Sequence, residues 1–145
     1  MKKTLVVPVL LCCCVLSGCR DDGTPVDPPV SPPLLQQLTP QEEQVVANCY
    51  MVQEAAEAFA AENNGGYPQD TWVHVTPLGN NLVSFLPGGV RLENPFTQIR
   101  TEPMDGLATL SGYTGYVAIW DSMIVGYTIS GFGVDSLVII LSKYP

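Results

Sequence analysis

The sequence predicts an α+β domain in which one long N-terminal amphipathic helix packs on a small antiparallel β-sheet. Apolar residues recur at three- and four-residue spacing over residues 45–60, which is the period of a helix with one buried face. The end of the chain instead contains three β-rich runs with short connections, which predict an antiparallel meander. An amphipathic helix buries its apolar face against another element, so we expect it to lie on this sheet.

The predicted helix has clear boundaries. Thr39 places a hydroxyl at the N-cap, Pro40 occupies the first helical position, and Glu42 lies where a capping box requires an acid. The run Asn63-Asn64-Gly65-Gly66 ends the helix because these residues accept left-handed backbone angles. The helix would therefore have about 23 residues and a length of about 34 Å. Its apolar stripe consists of Val45, Val46, Cys49, Val52, Ala56, Phe59 and Ala60.

The residues after the helix predict strands and turns. Residues 72–75 alternate weakly between apolar and polar, and residues 82–86 form a short apolar run between turn signals. The meander strands are predicted at residues 116–120, 123–130 and 136–141. Asp121-Ser122 predicts the first hairpin turn, and the glycine-containing run at residues 131–135 predicts the second.

The charge of the chain argues against nucleic acid as a partner. There are 6 Lys and Arg against 14 Asp and Glu, which gives a net charge of −8. The cations are scattered, whereas binding to a phosphate backbone needs clustered cations that displace counterions. The same acidity disfavours adhesion of the domain itself to anionic lipid surfaces.

The N-terminus carries the pattern of an export signal. A charged start leads into an apolar run too short to span a bilayer, and then into small residues and a cysteine: Lys2, Lys3, residues 5–16, Ser17, Gly18 and Cys19. This order resembles the lipobox of bacterial lipoproteins, in which a peptidase cuts before an acylated cysteine. The resemblance implies a signal peptide at residues 1–18, a palmitate-type lipid on Cys19, and a lipid-anchored protein of the cell envelope. The alternative is an ordinary secretory signal with a coincidental cysteine.

Residues 19–38 predict a proline-rich tether between the lipid and the head, which covers residues 39–145. Five prolines and no apolar periodicity favour polyproline II backbone, which would reach on the order of 60 Å. A proline-rich ligand for a recognition domain is the alternative. Arg20 follows Cys19 where the common inner-membrane retention signal has an aspartate, which favours the outer membrane. The expected place is thus the outer membrane or a periplasm-facing position, and not the cytoplasm.

Three segments of the head carry a second resemblance. Residues 48–68 look like the second half of the pilin spine helix and its Asn-Gly-x-Tyr-Pro exit. Asn94-Pro95-Phe96-Thr97 resembles the segment before the pilin sheet, and residues 127–135 resemble the last sheet turn of the major pseudopilin. Most of residues 42–141 is therefore similar to the heads of type IV pilins and type II secretion pseudopilins. The resemblance implies a pilin-like fold and a place beside secretion or pilus machinery.

The chain departs from that family at its N-terminus. Pilins and pseudopilins begin with a prepilin leader, a Gly-Phe-Thr-Leu-Ile-Glu signature and a hydrophobic half-helix that packs the filament core. A lipobox leader and a proline-rich tether stand there instead. The fold is implied by the resemblance, but the polymerisation mechanism is not.

Few residues of the head suggest catalysis. Cys49 lies in the helical stripe, so we expect a buried thiol, and without a second cysteine in the head it can form neither an internal disulfide nor a cysteine zinc site. His74 is the only histidine, and a packed or solvated role is expected over that of a catalytic base. Glu54 and Glu57 are expected to face solvent. We therefore expect no enzymatic activity.

Two further features leave alternatives open. Asp135, in the predicted second turn, is a candidate calcium ligand, because the major pseudopilins hold calcium in this region; otherwise it is an ordinary turn aspartate and the protein has no cofactor. Tyr113 and Tyr116 mark either a binding face or the aromatic face of the sheet itself.

The sequence thus predicts a lipid-anchored structural or protein-binding component of the envelope, whose head meets a secretion or pilus protein. The alternative is a small envelope enzyme or ligand-binding lipoprotein that uses a site around His74. A cleft converging on His74 would count against the binding component. A head with no deep pocket and with His74 packed or solvated would count against the enzyme or ligand site.

Overall fold

The computed structural model describes residues 37–144. The predicted signal peptide, Cys19 and all but the last two residues of the predicted tether lie outside the described residues. In chain order the described part forms α1 (Pro40–Glu62), two 3₁₀ helices (Leu82–Phe85 and Pro87–Gly89), β1 (Leu92–Glu93), β2 (Arg100–Glu102), β3 (Met104–Asp105), β4 (Thr114–Asp121), β5 (Met123–Phe132) and β6 (Leu137–Lys143).

The strands form one four-stranded sheet and one short ribbon. The sheet has the order β3-β4-β5-β6, with β3 parallel to β4 and the other neighbours antiparallel. The ribbon consists of β1 and β2 in antiparallel pairing. The predicted α+β class and the predicted meander are therefore confirmed. The parallel strand β3, which makes the sheet mixed, was not predicted because a two-residue strand has no periodicity to detect.

The start of α1 follows its sequence signals. Thr39 Oγ1 accepts a hydrogen bond from the Glu42 amide at 3.3 Å, and Glu42 Oε2 accepts from the Thr39 amide at 2.8 Å. Both bonds of the predicted capping box are present, so two orphan amides of the first turn are satisfied. At the other end, Asn64 and Gly65 have φ values of 54° and 87°, which turn the chain away from the helix.

The buried face of α1 packs on β5. Cys49 is fully buried there, as the sequence predicts, and burial raises the pKa of its thiol to about 12. A Cβ added at Gly131 of β5 would lie 2.8 Å from both Cys49 Sγ and Val45 Cγ1, so only glycine allows this approach. The core consists of Cys49, Val52, Ala55, Ala56, Ala60, Tyr67, Leu82, Val83, Leu86, Leu92, Tyr116, Tyr127 and Ile129.

Two predicted β-type segments are not strands. At residues 72–75 the Asp70 carboxylate accepts the amides of Trp72, Val73 and His74 at 2.9, 2.5 and 3.1 Å, which bends the chain into a turn. Residues 82–86 instead begin with a 3₁₀ helix, Leu82–Phe85, that is capped by the Asn81 side chain. In both segments a side chain at the start captures backbone amides that a strand would need for pairing.

The contact at Gly131 can be tested by a double-mutant cycle. We expect Gly131→Ala to lower the free energy of unfolding by about 1–3 kcal/mol, because the new methyl group overpacks the interface with α1. Cys49→Ala alone should cost on the order of 1 kcal/mol. The combined variant should cost less than the two changes added together, because removing Sγ makes room for the methyl group. Urea unfolding followed by circular dichroism measures all three.

Glu54→Gln is the control for this cycle, because Glu54 lies on the exposed side of α1. Its effect should add to that of Gly131→Ala without any coupling. Full additivity between Gly131→Ala and Cys49→Ala would contradict the close contact.

Candidate functional site

His74 lies on a turn that is built by the neighbouring Asp70. The carboxylate of Asp70 accepts three successive backbone amides, of which His74 supplies the last. Partial burial raises the pKa of Asp70, but these hydrogen bonds outweigh it and hold the pKa below its ordinary value. The turn therefore fixes the backbone from which the imidazole projects.

The imidazole itself is packed and hydrogen-bonded. Its Nδ1 accepts a hydrogen bond from the Gln69 amide at 2.9 Å, which assigns the proton of the neutral ring to Nε2. The ring lies against Phe59 with 5.3 Å between ring centroids. Within the described residues, no hydroxyl or thiol donates a hydrogen bond to His74, as a nucleophile activated by this base would. This arrangement matches the packed histidine expected from the sequence.

A groove of about 340 Å³ opens beside His74. One wall is formed by the end of the β4–β5 hairpin, and the other by Tyr67 and the chain that leaves α1. Trp120 and Met123 of the hairpin are 58% and 67% exposed, although both are large and apolar. We name this feature the hairpin groove; its lining residues are Asn63, Gly66, Tyr67, Gln69, His74, Trp120, Met123 and Ile124.

Glu57 joins several elements of the head next to Tyr67, which lines the hairpin groove. It accepts hydrogen bonds from Tyr127 Oη at 2.7 Å, Lys143 Nζ at 2.7 Å and Tyr67 Oη at 3.3 Å. Partial burial raises the pKa of Glu57, but the bonds from Lys143 and Tyr127 outweigh it, so the pKa lies below its ordinary value. Glu57 therefore faces solvent only in part, with its side chain 40% exposed, because α1, β5 and β6 converge on its carboxylate.

Glu102 is a buried acid that the sequence did not reveal. Its side chain is fully buried, and its oxygens accept from the Thr114 amide at 2.8 Å and from Thr101 Oγ1 at 2.9 Å. Burial raises the pKa of Glu102 above its ordinary value, and the two hydrogen bonds offset only part of that shift. The residue joins β2 to the start of β4 and lies outside the hairpin groove. An isolated Glu between a Thr and a Pro gives no sequence signal of burial.

The remaining candidates do not gather into a site. Asp135 is exposed in the turn between β5 and β6, and within residues 37–144 no three His, Cys, Asp or Glu side chains are grouped closely enough to hold a metal ion. Tyr116 is buried and donates a hydrogen bond from its hydroxyl to the Pro68 carbonyl at 2.8 Å. It therefore belongs to the aromatic face of the sheet, whereas Tyr113 is half-buried and lines a separate cleft.

The buried carboxyl group of Glu102 should make stability depend on pH in a defined direction. Because its pKa is raised in the folded protein, its favourable contribution is present below the ordinary value of 4.5 and is lost as the pH rises through the folded pKa. We expect Glu102→Gln to be more stable than the unchanged protein at pH 8. The gain should shrink as the pH falls toward 4.5. Urea unfolding at several pH values gives the difference.

Subtracting the two pH profiles removes the contributions of acids with lowered pKa values, such as Glu57 and Asp70, which act in the opposite direction. Glu54→Gln serves as the exposed control and should leave the profile unchanged. A Glu102→Gln protein that is less stable by the same amount at every pH would contradict this assignment.

No helix within residues 37–144 is both long and apolar enough to cross a membrane. Comparisons with family models, with curated proteins and with solved structures found no match to this chain.

Proposed function

We propose that this protein is a lipid-anchored component of the bacterial cell envelope whose head binds another protein and has no catalytic role. The lipobox-like leader supports the anchor, with the lipid on Cys19. The proline-rich residues 19–38 would then separate the head from the membrane surface. The excess of carboxylates over cations argues that the lipid, rather than the head, makes the membrane contact.

For the head we propose a pseudopilin-like fold without the polymerising half-helix. A long capped helix packed on an antiparallel meander is consistent with this proposal, as are the pilin-like segments of the sequence. The proline-rich stretch cannot supply a continuous hydrophobic helix for a filament core. The protein would therefore act beside secretion or pilus-type machinery, not as a subunit of its fibre.

The observation that carries the binding role is the exposed apolar end of the β4–β5 hairpin. Trp120 and Met123 are exposed at the edge of the groove, whose volume of about 340 Å³ could take an apolar side chain of a partner. Tryptophan and methionine are enriched in protein interfaces, and buried aromatic anchors supply much of the binding energy there. The hairpin is held in place by the core, so the groove exists before a partner arrives.

The second candidate function is a small ligand site or enzyme that uses His74. It is supported by one observation, namely that His74 lines the hairpin groove. Its Nε2 could donate a hydrogen bond to a ligand, while Nδ1 is occupied by the Gln69 amide. A catalytic base would need Nε2 as an acceptor, which requires the opposite tautomer. The geometry thus favours a contact surface over catalysis.

The anchor is tested by the substitution Cys19→Ser. We expect this change to abolish fatty-acid incorporation and to leave the precursor uncleaved or released, since the thiol is the acylated group. Metabolic labelling with a fatty acid, followed by cell fractionation, measures both effects. Cys49→Ser serves as the control and should remain labelled. Fatty acid on the Cys19→Ser protein would exclude this anchor.

The binding surface is tested by site-specific photo-crosslinking in the intact envelope. A photoreactive phenylalanine analogue at Trp120 should give one discrete adduct with an envelope protein, to be identified by mass spectrometry. The same analogue at Tyr50, which is 49% exposed on the outer side of α1, is the matched control and should give none. Met123→Ala should reduce the Trp120 adduct while changing the free energy of unfolding by no more than about 0.5 kcal/mol. Equal adducts at both positions would contradict a specific surface.

A further inference from the structure

We propose that a second cleft, on the β2–β3 side of the head, binds a carboxylate group of a peptide partner. The cleft has a volume of about 560 Å³, within the range of ligand sites in proteins. Arg91, Arg100 and Tyr113 line it together with Thr71 and Asp105. We name it the arginine cleft. It shares none of its lining residues with the hairpin groove, so this proposal does not depend on the proposed function.

The charges of the head make these two arginines unusual. Residues 37–144 contain eleven acidic side chains but only three basic ones, namely Arg91, Arg100 and Lys143. Within these residues Lys143 forms an ion pair with Glu57, whereas neither arginine lies within 4.0 Å of a carboxylate oxygen. Among these residues neither arginine forms an ion pair within 4.0 Å, although the charge of Arg91 also acts on the buried Glu102. Because both line one cleft, they give it positive charge for an anion.

Arg91 is held in place through one nitrogen of its guanidinium group, which leaves the other nitrogens available to donate hydrogen bonds to a ligand. Its Nη1 donates to the carbonyls of Thr101 at 2.8 Å and Pro103 at 2.6 Å, and the guanidinium lies over Trp72 at 5.4 Å. These contacts fix the plane of the guanidinium while using only one of its three nitrogens. The other nitrogens make no hydrogen bond to the described residues. A fixed, planar donor pair is the geometry that binds a carboxylate through two parallel hydrogen bonds.

Thr71 supplies a second and independent observation. It lines the arginine cleft although it is fully buried, so it forms part of the floor. Its Oγ1 has no hydrogen-bond partner among the described residues. A buried hydroxyl without a partner costs on the order of 1–3 kcal/mol, and natural structures rarely leave one without a reason. Because Oγ1 is closed to solvent in this structure, a ligand oxygen satisfies it only if the floor opens on binding.

Asp105 narrows the chemical class of the ligand. Its Oδ1 accepts from the Thr71 amide at 2.7 Å, which places a negative charge at one wall of the cleft. A dianion such as phosphate would be repelled there, while a singly charged carboxylate with a neighbouring N–H could donate to Asp105 and accept from the arginines. A peptide carboxylate has this combination, whether at a C-terminus or on an Asp or Glu side chain.

The test uses Trp72 fluorescence in the full chain with Trp120→Phe, so that Trp72 is the remaining tryptophan and reports on Arg91. The probes are N-acetylglycine, its uncharged amide, N-acetylaspartate with its α-carboxyl group blocked as an amide, and inorganic phosphate. We expect a saturable change with N-acetylglycine and none with its amide. A response to the aspartate probe as well would show that the cleft also accepts side-chain carboxylates, and its absence would restrict the cleft to a C-terminus. No response to either carboxylate, or tighter binding of phosphate, would overturn the proposal.

Three variants separate binding from folding. Arg100→Gln should lower the affinity about tenfold, the loss expected for one charge-assisted hydrogen bond. Lys143→Gln removes the same charge outside the cleft, and an equal loss there would overturn the proposal in favour of general electrostatics. Thr71→Val should weaken binding without lowering the melting temperature, because the hydroxyl has no partner in the free protein. Unchanged affinity in Thr71→Val would overturn the role of the floor.

Discussion

At Gly131 the backbone of β5 comes so close to α1 that any side chain would collide with Cys49 and Val45. This approach sets the distance between helix and sheet, and the positions of β4 and β6 follow because they pair with β5 on either side. Dense packing of this kind responds to the addition of a single methyl group. The thiol of Cys49 is buried in the same contact, and burial raises its pKa to about 12. This lone cysteine of the head therefore packs in the core and has little thiolate to react.

Glu57 and the side chains that donate hydrogen bonds to it form a second link between α1 and the sheet. Near the far end of α1, one carboxylate joins Tyr127 of β5, Lys143 of β6 and Tyr67 of the following loop. Burial raises the pKa of Tyr127 to about 12, and its bond to Glu57 adds to that shift, so its phenol stays protonated and donates to Glu57 throughout the physiological range. The hydrogen bond from Tyr127 to Glu57 therefore keeps its donor proton near neutral pH.

The parts of the fold that were predictable from sequence are those encoded locally. Thr39, Pro40 and Glu42 mark the start of α1, and the β-rich run at residues 123–130 marks the central strand. The parts that were missed depend on partners distant in sequence. Glu57 and Glu62 both have the spacing of exposed helical acids, yet Glu57 is bound by Tyr127 and Lys143, and Glu62 by Thr76 and Asn80. Likewise, no pattern near Arg91 or Thr71 indicates that the two residues line one cleft.

The turn at residues 70–74 links the two surfaces of the head. Asp70 holds the amides of both Trp72 and His74 on one carboxylate, although these side chains serve different places. Trp72 lies against Arg91 of the arginine cleft, and His74 lines the hairpin groove. A movement of the turn would therefore displace a residue at each surface, because both depend on the same three hydrogen bonds. Asp70 is ionised at neutral pH, so these hydrogen bonds are charge-assisted, and they in turn lower its pKa. They support this short turn although it has no regular secondary structure.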